Sequence, residues 1–274
     1  MNKRHDWLAG QTREPELILL LGCNFCKDGN YDRSDAILVA SPDPKTGTVK
    51  LASILRDIQA DLHEYGMEKI NAALLHGGPE FAVRIINECF HLSIRHYILV
   101  DMYGLVNVID LLGGIDVEIT EMERIFLNCW VRDLAMQFQD GIFPPPLEKA
   151  GLVHMDGRTA LSHARNRVIG TDFARADRQR TVLKAMAEKI KEESDPVKLI
   201  RLFFKGLRYV KTDLSALQIA SMALPVWRAG NLSFPSIRIP VDNTYKVSTD
   251  GNWHFEIDFE ANAQELGRFF SEEV

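Results

Sequence analysis

The sequence predicts an α/β fold, a three-layer αβα domain with a mixed central sheet flanked by helices. Three observations carry that prediction. Residues 16–23, ELILLLGC, are apolar at almost every position, as in a short strand covered on both faces. Residues 35–41 and 48–55 are strand-like runs around DPKTG, a proline–glycine turn, and read as an antiparallel hairpin. From residue 77 onward helical and strand-like patterns alternate, which places helices on the faces of a sheet. The hairpin makes that sheet mixed rather than purely parallel.

The elements follow in order. Residues 77–90 read as a helix with Pro79 at its first position, where a missing N–H costs nothing. Phe81, Ile85 and Cys89 share one face of it, and Glu80, Arg84 and Glu88 another. Residues 94–100 read as a strand, 103–112 as a helix, 114–120 as a strand and 121–140 as a helix. Residues 143–151, with three prolines, read as a loop. A short helix at 156–164 and a long one at 173–193 come next, then helical patterns at 196–209 and 213–228 and strands at 232–239 and 253–259. No repeat, low-complexity tract or linker divides the chain. The reading is a flexible segment, 1–15, followed by one domain, 16–274.

Composition narrows the function. Hydrophobic residues make up 46% of the 274, enough for a sizeable core and too many for a disordered chain. The net charge of −6 argues against nucleic acid as a partner, since that demands a basic face. The longest early apolar run, residues 17–23, is far short of the ~20 residues a membrane span needs. Cys23 and Cys26 form C-x-x-C, a pattern compatible with redox or zinc chemistry. No second close Cys/His pair completes a zinc site, so two small residues closing a strand is the favoured reading.

Against the acidic background, residues 164–180 (ARNRVIGTDFARADRQR) hold Arg165, Arg167, Arg175, Arg178 and Arg180 and no lysine. On a helix starting near Phe173, Arg175, Arg178 and Gln179 fall on the stripe that continues into Val182, Leu183, Met186 and Ile190. Asp177, Arg180, Lys184, Glu188 and Lys191 fall on the other side, toward water. Inward guanidinium groups need partners, and Asp172 and Asp177 are too few to neutralise them. An external anion meets the need. Arginine suits phosphate because its planar fork donates two parallel hydrogen bonds, and the helix N-terminus near Asp172 adds a favourable dipole. The alternative is an ordinary solvated charged face, against which the helical phase argues.

These residues, with four further blocks, resemble the LytR-CpsA-Psr family of bacterial cell-envelope proteins. The blocks are LLLGCN (19–24), DRSDAILVASPDPKTGTVKLASILRD (32–57), KINAALLHGGPE (69–80), HYILVDMYGLVNVIDLLGGIDVEI (96–119) and MDGRTALSHARNRVIGTDFARADRQR (155–180). The resemblance implies a transferase that moves a glycopolymer, such as teichoic acid or capsule polysaccharide, from a polyprenyl pyrophosphate carrier to a peptidoglycan acceptor. It implies Mg²⁺ assistance and a position at the membrane surface, on the extracytoplasmic face, with any anchor outside this sequence. It also assigns roles. Arg33 and Asp35 match the family's R-x-D, Arg56 the arginine of S-x-x-R-D with Asp57 beside it, and Arg165 and Arg167 its R-x-R. Asp172, Arg175, Arg178 and Gln179 match D-F-x-R-x-x-R-Q. The implied pyrophosphate ligands are thus Arg33, Arg56, Arg165, Arg167, Arg175, Arg178 and Gln179, with Arg56 and Arg175 also catalytic and Asp35 on the metal.

Two departures stand out. Asn24 occupies the place of the family's second acidic metal ligand, and it offers a carbonyl oxygen without a charge. Residues 121–150, including Cys129 and Trp130, match the family poorly. Asp57 and Asp172 are both candidates for the base that deprotonates an acceptor hydroxyl, and Asp57 is equally a salt-bridge partner for Arg56. The neutral Asn24 leaves a second reading open: a catalytically weak polyprenyl-pyrophosphate-binding or regulatory protein.

Overall fold

The computed structural model describes residues 15–27, 29–229, 232–248 and 252–272. The expected flexibility of the N-terminal segment therefore falls, apart from Pro15, outside the described residues. The central sheet has six strands in the order Lys211–Thr212, His96–Asp101, Ile18–Cys23, Ser34–Asp43, Thr48–Ile54, Ser236–Ile239. Ile18–Cys23 pairs parallel with His96–Asp101 and antiparallel with Ser34–Asp43, so the sheet is mixed, as the hairpin predicts. Ile18, Leu19 and Leu21 are all buried, which bears out the strand covered on both faces. Cys23 closes that strand, buried and unbridged, and Cys26 is also free. Burial pushes both thiol pKa values up, away from a reactive thiolate.

Helix α1 spans Ala72–Phe90 and breaks at Gly77 and Gly78, so its longer half does restart at Pro79. Gly78 has φ +72° and faces Tyr31, whose Cε2 would lie 3.0 Å from an added Cβ; both facts favour glycine. Helices α2 (Met102–Leu111), α3 (Glu121–Phe138), α4 (Gly157–Arg165), α5 (Asp172–Glu192), α6 (Pro196–Gly206) and α7 (Ala216–Arg228) match sequence expectations closely. A last helix, α8 (Phe259–Ser271), has no counterpart among them. Asp258 caps it by accepting from the Ala261 N–H at 2.9 Å.

Other differences are topological. The strand Ile115–Ile119 lies outside the main sheet and pairs with Gly151–Met155, a strand where the sequence reads as the end of a loop and its approach to α4. His254–Ile257 likewise pairs with Tyr245–Ser248 in a separate ribbon. One core joins the sheet residues Leu19, Leu21 and Val39 to Ile85 and Phe90 of α1 and Leu266 of α8. A second joins Ile115, Val117 and Val153 to Leu127 of α3, Ala160 of α4, and Val182 and Ala185 of α5.

Helix α5 spans both cores, which explains where a single-stripe reading of it fails. Arg175, Arg178 and Val182 are buried as expected, but Arg180 is buried too, at 8% exposure. Its Nη1 donates to Ser53 Oγ on the sheet at 2.6 Å, and Nη2 pairs with Asp177. Ile190, expected inward, is exposed in the last turns.

His163 of α4 is buried without a partner for Nδ1. Burial pushes its pKa down to about 4, with the nearby Glu123 carboxylate opposing and the Arg178 guanidinium reinforcing the shift. A histidine neutral in the fold but protonated when unfolded loses stability as pH falls from the unfolded value toward the folded one. Denaturant unfolding at pH 7 and pH 5 should differ by about 2 kcal/mol through this group. His163→Gln should flatten that part of the profile.

Candidate functional site

Sheet topology brings the site together. Ile18–Cys23 and Thr48–Ile54 both run antiparallel to Ser34–Asp43. The residues after the first two strands, Asn24, Arg56 and Asp57, therefore emerge at the same end of the sheet where Asp35 begins the third. Ligands favour such a place, beyond the carboxyl ends of strands. The turn after α4 and the first turns of α5 complete the wall.

There a cavity of about 240 Å³ is lined by Arg56, Asp57, Lys69, Arg167, Gly170, Thr171, Asp172, Arg175 and Trp253. Arg56 reaches Asp35 through Nη1 and Asp57 through Nε at 3.1 Å. Arg167 Nη2 lies 3.2 Å from the same Asp35 oxygen. Gln179 Nε2 donates to the Asp35 backbone carbonyl at 3.3 Å. Arg175 Nη2 pairs with Asp172 Oδ1 at 2.7 Å, while its Nη1 is buried with no partner. Burial and the neighbouring Arg56 depress the Arg175 pKa, with Asp172 only partly offsetting them. Burial also depresses that of Arg165, whose charge senses Asp35, Arg167 and Arg56.

Two wall residues, Lys69 and Trp253, were missed by sequence reasoning. Lys69 Nζ donates to Asp57 Oδ1 at 2.8 Å and sits 5.8 Å from the Trp253 ring centre. Lys69 opens one of the family-like blocks, but only the fold shows that it faces Asp57. Trp253 arrives from a distant ribbon and carries no local signal. For Asp57, burial would raise the pKa, yet the hydrogen bond from Lys69 and the charge of Arg56 hold it below the usual carboxylate range. It is held as an ion-pair hub and is a poor proton acceptor. Asp172, on the cavity wall at the start of α5, has an ion pair through one oxygen.

Three other expected ligands are engaged away from the wall. Arg33 pairs with Glu68, which also meets His76. Arg178 donates through Nε to Glu123 Oε1 and through Nη1 to the Asn166 carbonyl, each at 3.0 Å, and through Nη2 to the Ile169 carbonyl. Asn24 Nδ2 donates to Asp32 Oδ2 at 3.0 Å.

The charge count decides what the cavity wants. The cavity lining itself sets Arg56, Lys69, Arg167 and Arg175 against Asp57 and Asp172. Two positive charges are left over, and one guanidinium N–H group is buried and unpaired. A dianion with several acceptor oxygens satisfies both.

For a metal, the oxygen donors at this end of the sheet are Asp35, Asp32 and the side-chain carbonyl of Asn24, all hard ligands of the kind magnesium takes. Among the described residues no three acidic, histidine or cysteine side chains converge into a ready cage. In kind, though not as a preformed cage, these oxygens suit a hard divalent cation such as magnesium.

The mixed sheet and its cationic cavity define the class of the domain, an α/β fold with a basic site beyond its strand ends. The profile of the LytR_cpsA_psr family matches residues 1–268. The chain belongs to this family. It is 29% identical over 229 residues to the polyisoprenyl-teichoic acid–peptidoglycan teichoic acid transferase TagV of Bacillus subtilis, covering 78% of this chain and 53% of TagV. It thus spans about half the length of that relative. It is 28% identical over 260 residues to the regulatory protein MsrR of Staphylococcus aureus, covering 93% and 74% of the two chains. The fold matches that of YwtF (TagT) with bound octaprenyl pyrophosphate lipid, from B. subtilis, at a TM-score of 0.68 and 20% identity over 95% of this chain and 92% of that one.

Proposed function

We propose that this protein is a phosphotransferase that moves a glycopolymer of the teichoic acid or capsule kind from a polyprenyl pyrophosphate carrier to peptidoglycan. It works at the extracytoplasmic face of the membrane, where both the lipid carrier and the wall are reachable. The observation that carries the reading is the buried, unpaired Arg175 Nη1 in a cavity with surplus positive charge. A pyrophosphate diester has the two negative charges and the oxygens to match.

In this reading Arg56, Arg167, Arg175 and Lys69 bind the pyrophosphate and neutralise the charge that grows on the departing lipid phosphate. An acceptor sugar hydroxyl attacks the glycan-side phosphorus. The new O–P bond forms as the bridging O–P bond breaks, giving a phosphodiester and free polyprenyl phosphate. Asp172 takes the hydroxyl proton through the oxygen that is not paired with Arg175. Asp57 orients Arg56 and Lys69. Asp35, together with Asn24 and its partner Asp32 from the same end of the sheet, would hold magnesium, which supplies further charge neutralisation when bound. The neutral Asn24 favours a second reading, in which the same cavity captures the lipid without turning it over.

One assay separates the two. Labelled polyprenyl-pyrophosphate glycopolymer is mixed with peptidoglycan, and label in the wall fraction is followed across a Mg²⁺ titration. The expected result is transfer that rises with Mg²⁺. Asn24→Asp should lower the Mg²⁺ needed for half-maximal rate by about tenfold or more, because a full charge this close to a cation is worth over ~1.4 kcal/mol. Tight lipid binding with no transfer at any Mg²⁺ concentration would replace the enzyme reading with capture.

A further inference from the structure

Outside the site, the most unusual surface is α6. None of its residues is buried. Val197, Ile200 and Phe204 are 62%, 59% and 58% exposed, and at 100° per residue they fall within an arc of about 60°. Leu199, Leu202, Phe203 and Leu207 are half-buried on the side toward the protein, where α6 meets α2. The helix therefore has two apolar sides, and only one is covered.

Bases flank the uncovered side. Lys198, Arg201 and Lys205 project along one edge of it, Arg208 follows in the turn after the helix, and α6 itself has no acidic residue. Between residues 196 and 228 there are six lysines and arginines and one acid, in a chain whose net charge is −6. That acid, Asp213, pairs with His96 at 2.8 Å. Lys198 pairs with Glu193, whereas Arg201, Lys205 and Arg208 have no carboxylate within 4.0 Å among the described residues.

We propose that α6 and the turn after it form a docking surface for an anionic lipid bilayer. The helix lies in the headgroup layer, with Val197, Ile200 and Phe204 inserted among the acyl chains and the bases on the lipid phosphates. A bulky apolar arc beside a row of bases is the pattern of an interfacial helix. A second copy of the chain fits the surface poorly, because a twofold interface sets the same patch against itself and brings like charges together. No helix among the described residues is long and apolar enough to cross a membrane, so contact through α6 would lie on the bilayer rather than span it. Docking through α6 is independent of the transferase reading.

The test is flotation of the purified chain with vesicles of phosphatidylglycerol or of phosphatidylcholine, at low and high salt. Binding to phosphatidylglycerol should be at least tenfold stronger, and should weaken in high salt as screening takes hold. Arg201→Glu with Lys205→Glu should cut it by more than tenfold, since each base near an anionic surface contributes about fivefold. Ile200→Ser with Phe204→Ser should also release the protein while its thermal unfolding stays unchanged. Equal binding to both lipids, no binding to either, or full binding by both double variants would overturn the proposal. So would a concentration-dependent dimer in solution that Phe204→Ser disperses, because the surface would then belong to a second copy. The lipid and salt comparisons use the unaltered chain, so a misfolded variant would not shelter the proposal.

Discussion

Arg175→Met should weaken binding of polyprenyl pyrophosphate by a hundredfold or more and leave the folded protein at least as stable. Arg175 stands near the start of α5, its side chain 5% exposed, with one nitrogen on Asp172 and the other unpaired. A hydrogen bond from a charged donor contributes about 1.5–3 kcal/mol, and a guanidinium facing a pyrophosphate forms two or more. Losing two corresponds to roughly 3–6 kcal/mol, or 10²–10⁴ in affinity. The free protein gains on the other side, because a buried charge with an unsatisfied N–H is costly to hold. Calorimetric titration with a detergent-solubilised polyprenyl pyrophosphate reads the first effect, and thermal unfolding the second. Unchanged affinity in a folded Arg175→Met protein would mean that the cavity does not hold the pyrophosphate.

Much of the fold and of the cavity is legible in the sequence, for physical reasons. The strand at residues 16–23 is apolar on both faces because helices cover both sides of the sheet, and such a run has few other uses. The inward phase of Arg175 survives because it depends only on local helical geometry. The sequence is less informative where packing comes from two directions. Arg180 looks outward on a wheel drawn around one core, but α5 lies between two cores, and Ser53 on the sheet accepts its Nη1. Trp253 reaches the cavity from a ribbon far along the chain, and Lys69 acts through Asp57, so neither role has a local pattern. The strand Gly151–Met155 is short and finds its partner in Ile115–Ile119 across a long stretch of helix and proline loop, a pairing that no local window contains.

Arg178 is the residue whose position is legible and whose task is not, and Arg178→Ala should expose the difference. The resemblance sets it beside Arg175 in the pyrophosphate grip. In the fold its nitrogens reach Glu123 of α3 and the carbonyls of Asn166 and Ile169, and it does not line the cavity. Glu123 is itself part of the α3 cap, accepting from the Thr120 N–H at 3.0 Å. Burial would raise the Glu123 pKa, but the bond from Thr120 and the Arg178 guanidinium hold it low. Removing the guanidinium strands a mostly buried carboxylate and frees two carbonyls in the turn that carries Arg167. Breaking one side of a buried pair costs about 3–5 kcal/mol, so the melting temperature should fall by roughly 5–9 °C. Arg178→Lys, which keeps a charge for Glu123 but gives up the fork across the two carbonyls, should fall between. Binding should weaken in both variants in step with the loosened turn. A variant that melts like the unaltered protein yet no longer binds the lipid would return Arg178 to the substrate, and would show that its bonds to Glu123 and the turn give way when pyrophosphate arrives.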